Sequence, residues 1–347
     1  MPKNIKIRKA TDSDDQLWNE YVTRHPHSGP YHLWEWRNTV AKAYKHTPHY
    51  LMAEETDSGK LAGGLPLFYL KSPFSRGQLV SLPFCDYGGP IADTDEISRA
   101  LCQSAYEEAT SQKAYLEIRC NQPLSDTPYF QPFGDKVRML LQLPENSELL
   151  FKKFKSKLRS QIRRPMKDGL HGKIGGPELV EDFYKVFTIN MRDLGSPVHS
   201  KKWFQHLTSY YDQKARVGVV YKDHIPVASG IILLHNDTIS IPWASSLRSY
   251  NRLSPNMLLY WSFLEYAADN GFRRFDFGRS SPGSGTYRFK KQWGAEPRPL
   301  FWYTEGDHSA TKSGKGKMRE RAENIWMRLP LGLANFMGPR IRKYISL

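Results

Sequence analysis

The chain is short of cysteine, of acidic residues relative to basic ones, and of long apolar runs, and each shortage removes a class of protein. Cys85, Cys102 and Cys120 are the only cysteines in 347 residues. They form no CxxC pair, and an odd number does not close a disulfide framework, so a reducing, cytoplasmic setting is expected. The 11 histidines show no HExxH or comparable spacing, so no metal site is expected. No run approaches the roughly 18 apolar residues needed to cross a bilayer. The first fifteen residues lack the apolar core of a secretory signal. Asp and Glu total 35 against 50 Lys and Arg, a formal net charge of +15. Such an excess favours an acidic partner: nucleic acid, a phosphorylated substrate or an anionic membrane surface. The rest is ordinary for a globular protein, with 39% hydrophobic residues and length enough for two domains.

Residues 275–299 gather most of the chemistry. Arg274-Phe275-Asp276-Phe277 alternates polar and apolar residues as a strand does, and Gly278 ends it. Ser280-Ser281-Pro282-Gly283-Ser284-Gly285 reads as a flexible turn with many free amides. Tyr287, Arg288, Lys290 and Lys291 follow, and Trp293-Gly294 closes the stretch. A Gly/Ser loop crowded with cations can grip an anion through backbone N–H groups and charge. It can equally be a solvated basic turn after an ordinary strand.

Elsewhere strands are expected near 5–8, 49–54, 60–70, 79–84, 115–119, 137–143, 216–221, 227–234 and 238–243. Helices are expected over 12–24, 95–113, 178–192, 201–211 and 254–270. Trp34 and Trp36 precede a helix reaching about Tyr44, and either line a substrate groove or belong to the core. Residues 148–170 read as one basic amphipathic helix that Pro165 should kink and Gly169 should cap. Its run Lys152, Lys153, Lys155, Lys157, Arg159, Arg163 and Arg164 is the densest cationic stretch, either a solvated face or a phosphate-binding one. Residues 305–317 read as a flexible linker. Residues 319–347 mix apolar and basic side chains, and Pro330 and Pro339 should break them into short amphipathic pieces. Those pieces either lie in an anionic membrane interface or pack on the second domain.

A weak repeat runs through the chain. Residues 50–70 and 217–234 share a strand, a polar turn and an apolar strand with small residues inside. Each is followed by another strand, a long helix and a short strand with a central acid. That strand is Leu116-Glu117-Ile118-Arg119 in the first copy and Phe275-Asp276-Phe277-Gly278 in the second. Two such units imply an α+β, pseudo-duplicated architecture.

Four stretches, 79–90, 157–170, 192–202 and 275–299, resemble the FemAB-like branch of the GNAT acyltransferase superfamily. More narrowly they are similar to FemAB-related proteins of exosortase/PEP-CTERM exopolysaccharide systems. The resemblance implies two tandem GNAT-like domains with mixed, largely antiparallel sheets. The expected limits are 1–150 and 151–304, with 305–347 as linker and basic tail. It further implies transfer of an acyl or aminoacyl group to an amine, with no bound cofactor. In FemAB relatives the donor is aminoacyl-tRNA and the acceptor a peptidoglycan precursor, phosphorylated or lipid-linked, which would bring the protein to the inner face of the membrane. Two features depart from the wider superfamily. There is no RxxGxG/A loop of the kind that binds the CoA pyrophosphate; residues 248–256 stand in its place. There is also no long coiled-coil arm of the type some FemA proteins carry.

Direct amide formation needs an amine that loses a proton, a stabilised carbonyl oxygen and alignment of the two. Asp276 is the expected proton acceptor and Tyr287 the expected donor to the oxyanion. Arg279, Lys290, Lys291, Lys157, Arg159 and Arg163 are expected to hold phosphates. Arg252 and Asn256 precede the helix where the superfamily's donor binds, though Asn256 can instead cap that helix. Asp86 and Tyr87, with Trp34 and Trp36, are the expected acceptor groove. Two other readings remain: an acyl-CoA-dependent N-acyltransferase, and a non-catalytic polyanion-binding module with the same fold.

Overall fold

The computed structural model describes residues 4–71, 76–125, 130–305 and 312–347, with 312–317 described by backbone alone. The chain begins with β1 (Ile5–Lys9), α1 (Asp15–Arg24), α2 (Trp34–Tyr44), β2 (Thr47–Pro48), β3 (Leu51–Glu55), β4 (Leu61–Leu65), β5 (Phe68–Leu70), β6 (Gln78–Val80) and β7 (Ile91–Ala92). Next come α3 (Asp95–Ser111), β8 (Tyr115–Cys120), β9 (Phe130–Phe133), β10 (Val137–Gln142), α4 (Ser147–Lys153), α5 (Ser156–Lys167) and β11 (Leu170–Gly175). Then follow α6 (Val180–Asp193), α7 (Lys201–Tyr211), β12 (Ala215–Lys222), β13 (Ile225–His235), β14 (Thr238–Ser246) and α8 (Pro255–Asp269). The chain finishes with β15 (Arg274–Ser280), α9 (Gly285–Gln292), β16 (Glu296–Pro299), β17 (Phe301–Glu305), α10 (Lys312–Met327) and α11 (Leu331–Arg342).

Two compact units result. One comprises Met1–Lys136, Pro299–Lys312 and Lys343–Leu347; the other comprises Val137–Arg298 and Ser313–Arg342. These limits differ from 150 and 304 because strand pairing crosses them. β10 pairs with β15, and β17 pairs with β8 and β9. Backbone groups of a strand must find a ladder, and here the ladder lies far away in sequence.

The first unit holds a four-stranded sheet, β1-β3-β4-β7, and a six-stranded one, β2-β5-β6-β8-β17-β9. All their pairings are antiparallel except β6 with β8. Thr94 caps α3 by accepting from the Ile97 N–H, and Asp95 and Glu96 suit the positive end of its dipole. That helix buries Ile97, Leu101 and Ala105 against Leu51, Leu65 and Leu116.

The second unit is one seven-stranded sheet, β11-β12-β13-β14-β15-β10-β16. Its hairpin β12–β13 is the predicted one, turning at Lys222–Ile225. α8 starts at Pro255, whose missing N–H costs nothing at that position, and its large apolar residues face the sheet. Gly218 and Gly230 let the Phe263 ring sit against the strands; a Cβ on Gly218 would meet that ring at 2.5 Å.

The duplication is visible in the pairing. β6 runs parallel to β8 through three pairs ending at Val80↔Glu117, and β14 to β15 through three ending at Ser240↔Asp276. α3 connects the first pair and α8 the second.

Several expectations are corrected. The basic segment is two helices that break at Phe154, where the backbone turns extended so that the ring packs on Trp261 and Trp293. Pro165 stays inside α5, close enough to its end that one lost hydrogen bond is tolerated. The Gly/Ser turn leads into α9, capped by Ser284 Oγ accepting from the Tyr287 N–H, so Tyr287 to Lys291 lie on a helix. In the tail, Pro330 separates α10 from α11, while Pro339 lies within α11. Of the expected linker, 306–311 lies outside the described residues, and Lys312 already begins α10.

Phe263→Ala should destabilise the protein by about 3–5 kcal/mol, read as a lower denaturant midpoint, because it empties a fully buried aromatic site. A pH effect follows from the buried histidines. Burial holds the His199 imidazole well below its ordinary range, with Arg342 adding repulsion, and burial also lowers His25, His46 and His49. The native state keeps these rings neutral while the unfolded chain takes up protons below about pH 6.5. Stability should therefore be level above that pH and fall below it. The fall should be shallower in His199→Gln, measured by thermal melts across pH 5–8.

Candidate active site

Past Ser240 and Asp276 the two parallel strands part. β14 continues on β13 as far as Ser246↔Ala228, and β15 continues on β10 as far as Ser280↔Val137. Among the described residues no ladder joins them beyond that point. The backbone edges that face the opening can donate to and accept from an extended ligand. Pro242 sits on the diverging part of β14, where a missing N–H breaks no ladder to β15.

Asp276 marks the point of divergence and is 2% exposed. Its Oδ2 lies 2.9 Å from Arg138 Nη2 and accepts from Arg138 Nε at 3.1 Å. Oδ1 accepts the Gly278 N–H at 2.9 Å. Both oxygens are engaged, and the pair sits at the register shift of β10 between Arg138 and Leu140. Asp276 is thus a strut; to serve as the expected base it would first have to leave Arg138.

Lys290 also changes role. It is 8% exposed, and its Nζ donates to the Gly278 and Arg279 carbonyls at 3.1 and 2.7 Å. It ties α9 to the end of β15 instead of presenting charge to a phosphate. Arg279 is half-buried on β15, opposite Arg138. Tyr287 is half-buried against the core, and the exposed Lys291 Nζ lies 5.9 Å from its ring.

Lys291 and Trp293 join α4 and α5 around a cavity of about 390 Å³. Leu150, Phe154, Leu158 and Trp293 supply its apolar lining. Lys153, Lys155, Lys157 and Lys291 bring four cations to it. None of these four is ion-paired among the described residues. Other cations of the same helices are: Lys152 with Glu148, and Arg164 with Asp168. Arg159 donates to the Lys152 carbonyl, and the Arg163 guanidinium stacks 5.0 Å from the Phe151 ring, so the expected phosphate residues divide between cavity and scaffold.

Arg252 is exposed on the 3-10 turn Arg248–Leu253. Asn256 is the second residue of α8 and does not cap it; Ser254, in the left-handed region at φ 53°, takes that position. Neither Arg252 nor Asn256 lines the cavity.

In the first unit Trp34 and Trp36 are core. Trp34 packs on Tyr50 and under Arg37, and Trp36 is fully buried and donates to the Pro83 carbonyl. Tyr87 is buried against Tyr31 and His32. Asp86 is half-buried, and its carbonyl accepts from Trp302. Their loop holds Leu82 and Phe84 at left-handed φ, 60° and 69°. All three thiols are free and buried. Burial pushes Cys102 up to about 12 and raises Cys85 and Cys120, so none offers a thiolate nucleophile at neutral pH.

Residues 152–291 match the acetyltransferase (GNAT) domain family. Solved structures share the fold over nearly the whole chain. FemX aligns at 16% identity and TM-score 0.67, over 86% of this chain and 96% of that one. L-PGS from Bacillus licheniformis aligns at 11% and 0.58, over 93% and 99%. A tandem GNAT protein from the clavulanic acid biosynthesis pathway aligns at 11% and 0.54, over 88% and 100%. No curated protein matches in sequence. The family match covers less than half of the chain, and the solved structures extend the likeness, in fold, over nearly all of it. The fold is that of two GNAT-like α+β units, over the span of FemX and of the tandem GNAT protein.

Asp276→Asn should lower stability by about 2–3 kcal/mol, because it leaves the half-buried Arg138 guanidinium beside a neutral amide. Adding Arg138→Met should cost less than the sum of the single changes. An Asp276→Asn variant as stable as the parent would argue against the strut.

Proposed function

We propose that the chain transfers an aminoacyl group from aminoacyl-tRNA to an amine of a cell-envelope precursor. The observation that carries this reading is the apolar cavity with four lysines that no carboxylate among the described residues neutralises. Like charges gathered without acids repel, and an anionic ligand relieves that repulsion. A charged tRNA end offers phosphates for Lys153, Lys155, Lys157 and Lys291 and an aminoacyl ester for the diverging strands β14 and β15. The acceptor amine attacks the ester carbonyl; the C–N bond forms, the C–O bond to the ribose breaks, and the amine proton ends on the ribose hydroxyl. Backbone N–H groups and Tyr287 are the donors proposed for the oxyanion. Arg252, Asn256 and Arg279 are proposed as outlying donor contacts, and Asp86 and Tyr87 as acceptor contacts in the first unit.

The broader resemblance favours a peptidoglycan precursor and the narrower one an exopolysaccharide precursor. Either would be phosphorylated or lipid-linked, which would place the enzyme at the inner membrane surface. The second reading keeps acyl-CoA as donor, and the GNAT domain match from Phe151's neighbour Lys152 to Lys291 favours it as the alternative.

Lys155, Lys157 and Lys291 changed together to Gln should weaken aminoacyl-tRNA binding and flatten its log-salt slope by about 2, at roughly 0.7 per single-strand phosphate contact. Mass spectrometry of transfer to candidate precursors would follow turnover, which Tyr287→Phe should lower. Salt-independent tRNA binding alongside saturable CoA binding would replace the first donor with the second.

A further inference from the structure

α11 is amphipathic in the inverted sense. The residues it turns inward are small: Ala334 is 1% exposed, and a Cβ on Gly338 would meet Val198 Cγ2 at 2.9 Å. The residues it turns to solvent are large and apolar: Leu333 is 44% exposed, Phe336 60%, Met337 36% and Ile341 36%. Their spacing of three, four and eight residues from Leu333 forms one stripe along the helix. An ordinary surface helix would bury that stripe.

The stripe is not an isolated case of exposed leucine. Of fifteen exposed large hydrophobics among the described residues, nine lie between Met318 and Ile345, among them Ile325 at the end of α10. An apolar patch of this kind marks an interaction surface. Charge selects the partner. Arg328, Arg340 and Arg342 accompany the stripe, and no Asp or Glu occurs from Arg328 to Leu347. The Arg340 guanidinium lies 3.8 Å above the Phe336 ring, so cation and apolar face share one site. A second copy would bring like charges together in a two-fold contact. A lipid surface instead takes the apolar side chains at the boundary of its acyl chains and the guanidinium groups at its phosphates. At 12 residues α11 is too short to cross, and no described helix is long and apolar enough to do so.

We propose that the outer face of α11, with the end of α10, is a foothold on anionic membrane lipid. That it serves a lipid-borne acceptor rests on the acyl-transfer reading; the foothold itself does not.

The test is flotation of the full chain with vesicles of phosphatidylcholine alone and of phosphatidylcholine mixed with phosphatidylglycerol. Flotation is expected with the anionic vesicles only, weakening as salt rises. Phe336→Ser with Ile341→Ser should reduce the bound fraction at least tenfold while leaving the melting curve and tRNA binding unchanged, since both side chains are exposed. Phe336→Trp should show blue-shifted emission on adding the same vesicles. Equal flotation of the double variant and the parent, or none by either, would overturn the proposal. So would a concentration-dependent dimer in sedimentation that the double variant abolishes, which would assign the stripe to a second copy. None of these readouts needs transferase activity, so failure of the foothold and failure of the acyl-transfer reading are told apart.

Discussion

The Arg138–Asp276 ion pair fixes the shape of the second unit's site. A buried carboxylate is costly unless its lone pairs are met, and here a guanidinium and the Gly278 N–H meet both oxygens. The pair holds β15 to β10 at the residue where β15 leaves β14. Lys290 acts two residues further on, where it binds the carbonyls of Gly278 and Arg279. Two charged side chains that look like reagents in the sequence therefore hold the backbone at the edge of the opening.

The first unit meets the same constraint differently. Its parallel ladder also ends at an acid, Glu117, which pairs with Arg119 at 2.6 Å. After Val80, however, the chain stays on β8. Ser81 N donates to the Glu117 carbonyl, and Ser81 Oγ accepts the Arg119 N–H. The Arg119 guanidinium then binds the carbonyls of Cys85 and Ser346 and the Ser346 hydroxyl. What is an opening in the second unit is filled in the first by the chain's own backbone. The duplication thus supplies one scaffold with a closed copy and an open copy, and the open copy lies in the stretch that matches the GNAT domain.

Much of the fold was legible in the sequence because its signals are local. The hairpins at Thr56–Gly59 and Lys222–Ile225 and the helices α3 and α8 follow from turn chemistry and periodicity. α9 was hidden by its glycines: Gly283 and Gly285 advertise a loop, whereas the Ser284 cap and the burial of Trp293 make a helix. The unit limits were hidden because β10 and β17 depend on partners more than a hundred residues away in sequence. The candidate site was legible in part. Asp276, Lys290 and Lys291 all stood out, but which would be strut, tie or cavity cation depends on helix phase and on Arg138, which no local pattern marks. The divergence of β14 from β15 left one trace, Pro242 inside an otherwise good strand.

Net charge alone points to an anionic partner without saying where it binds, and the distribution of ion pairs narrows the place. Most of the unit's exposed cations that lie near a carboxylate use it: Lys152, Arg164, Lys185 and Lys201 are paired. Such surface pairs contribute little stability, but each leaves no net charge to attract a distant anion. The lysines at the cavity have no such cancellation, and they stand over an apolar floor of low polarisability, where the field of a charge is strongest. The outer face of α11 repeats the combination, with arginines beside exposed Phe336 and Ile341 and no acid in the sequence from Arg328 to Leu347. The difference is shape. A concave site lined by lysines can admit a ligand, whereas an outward helix face can meet only a surface.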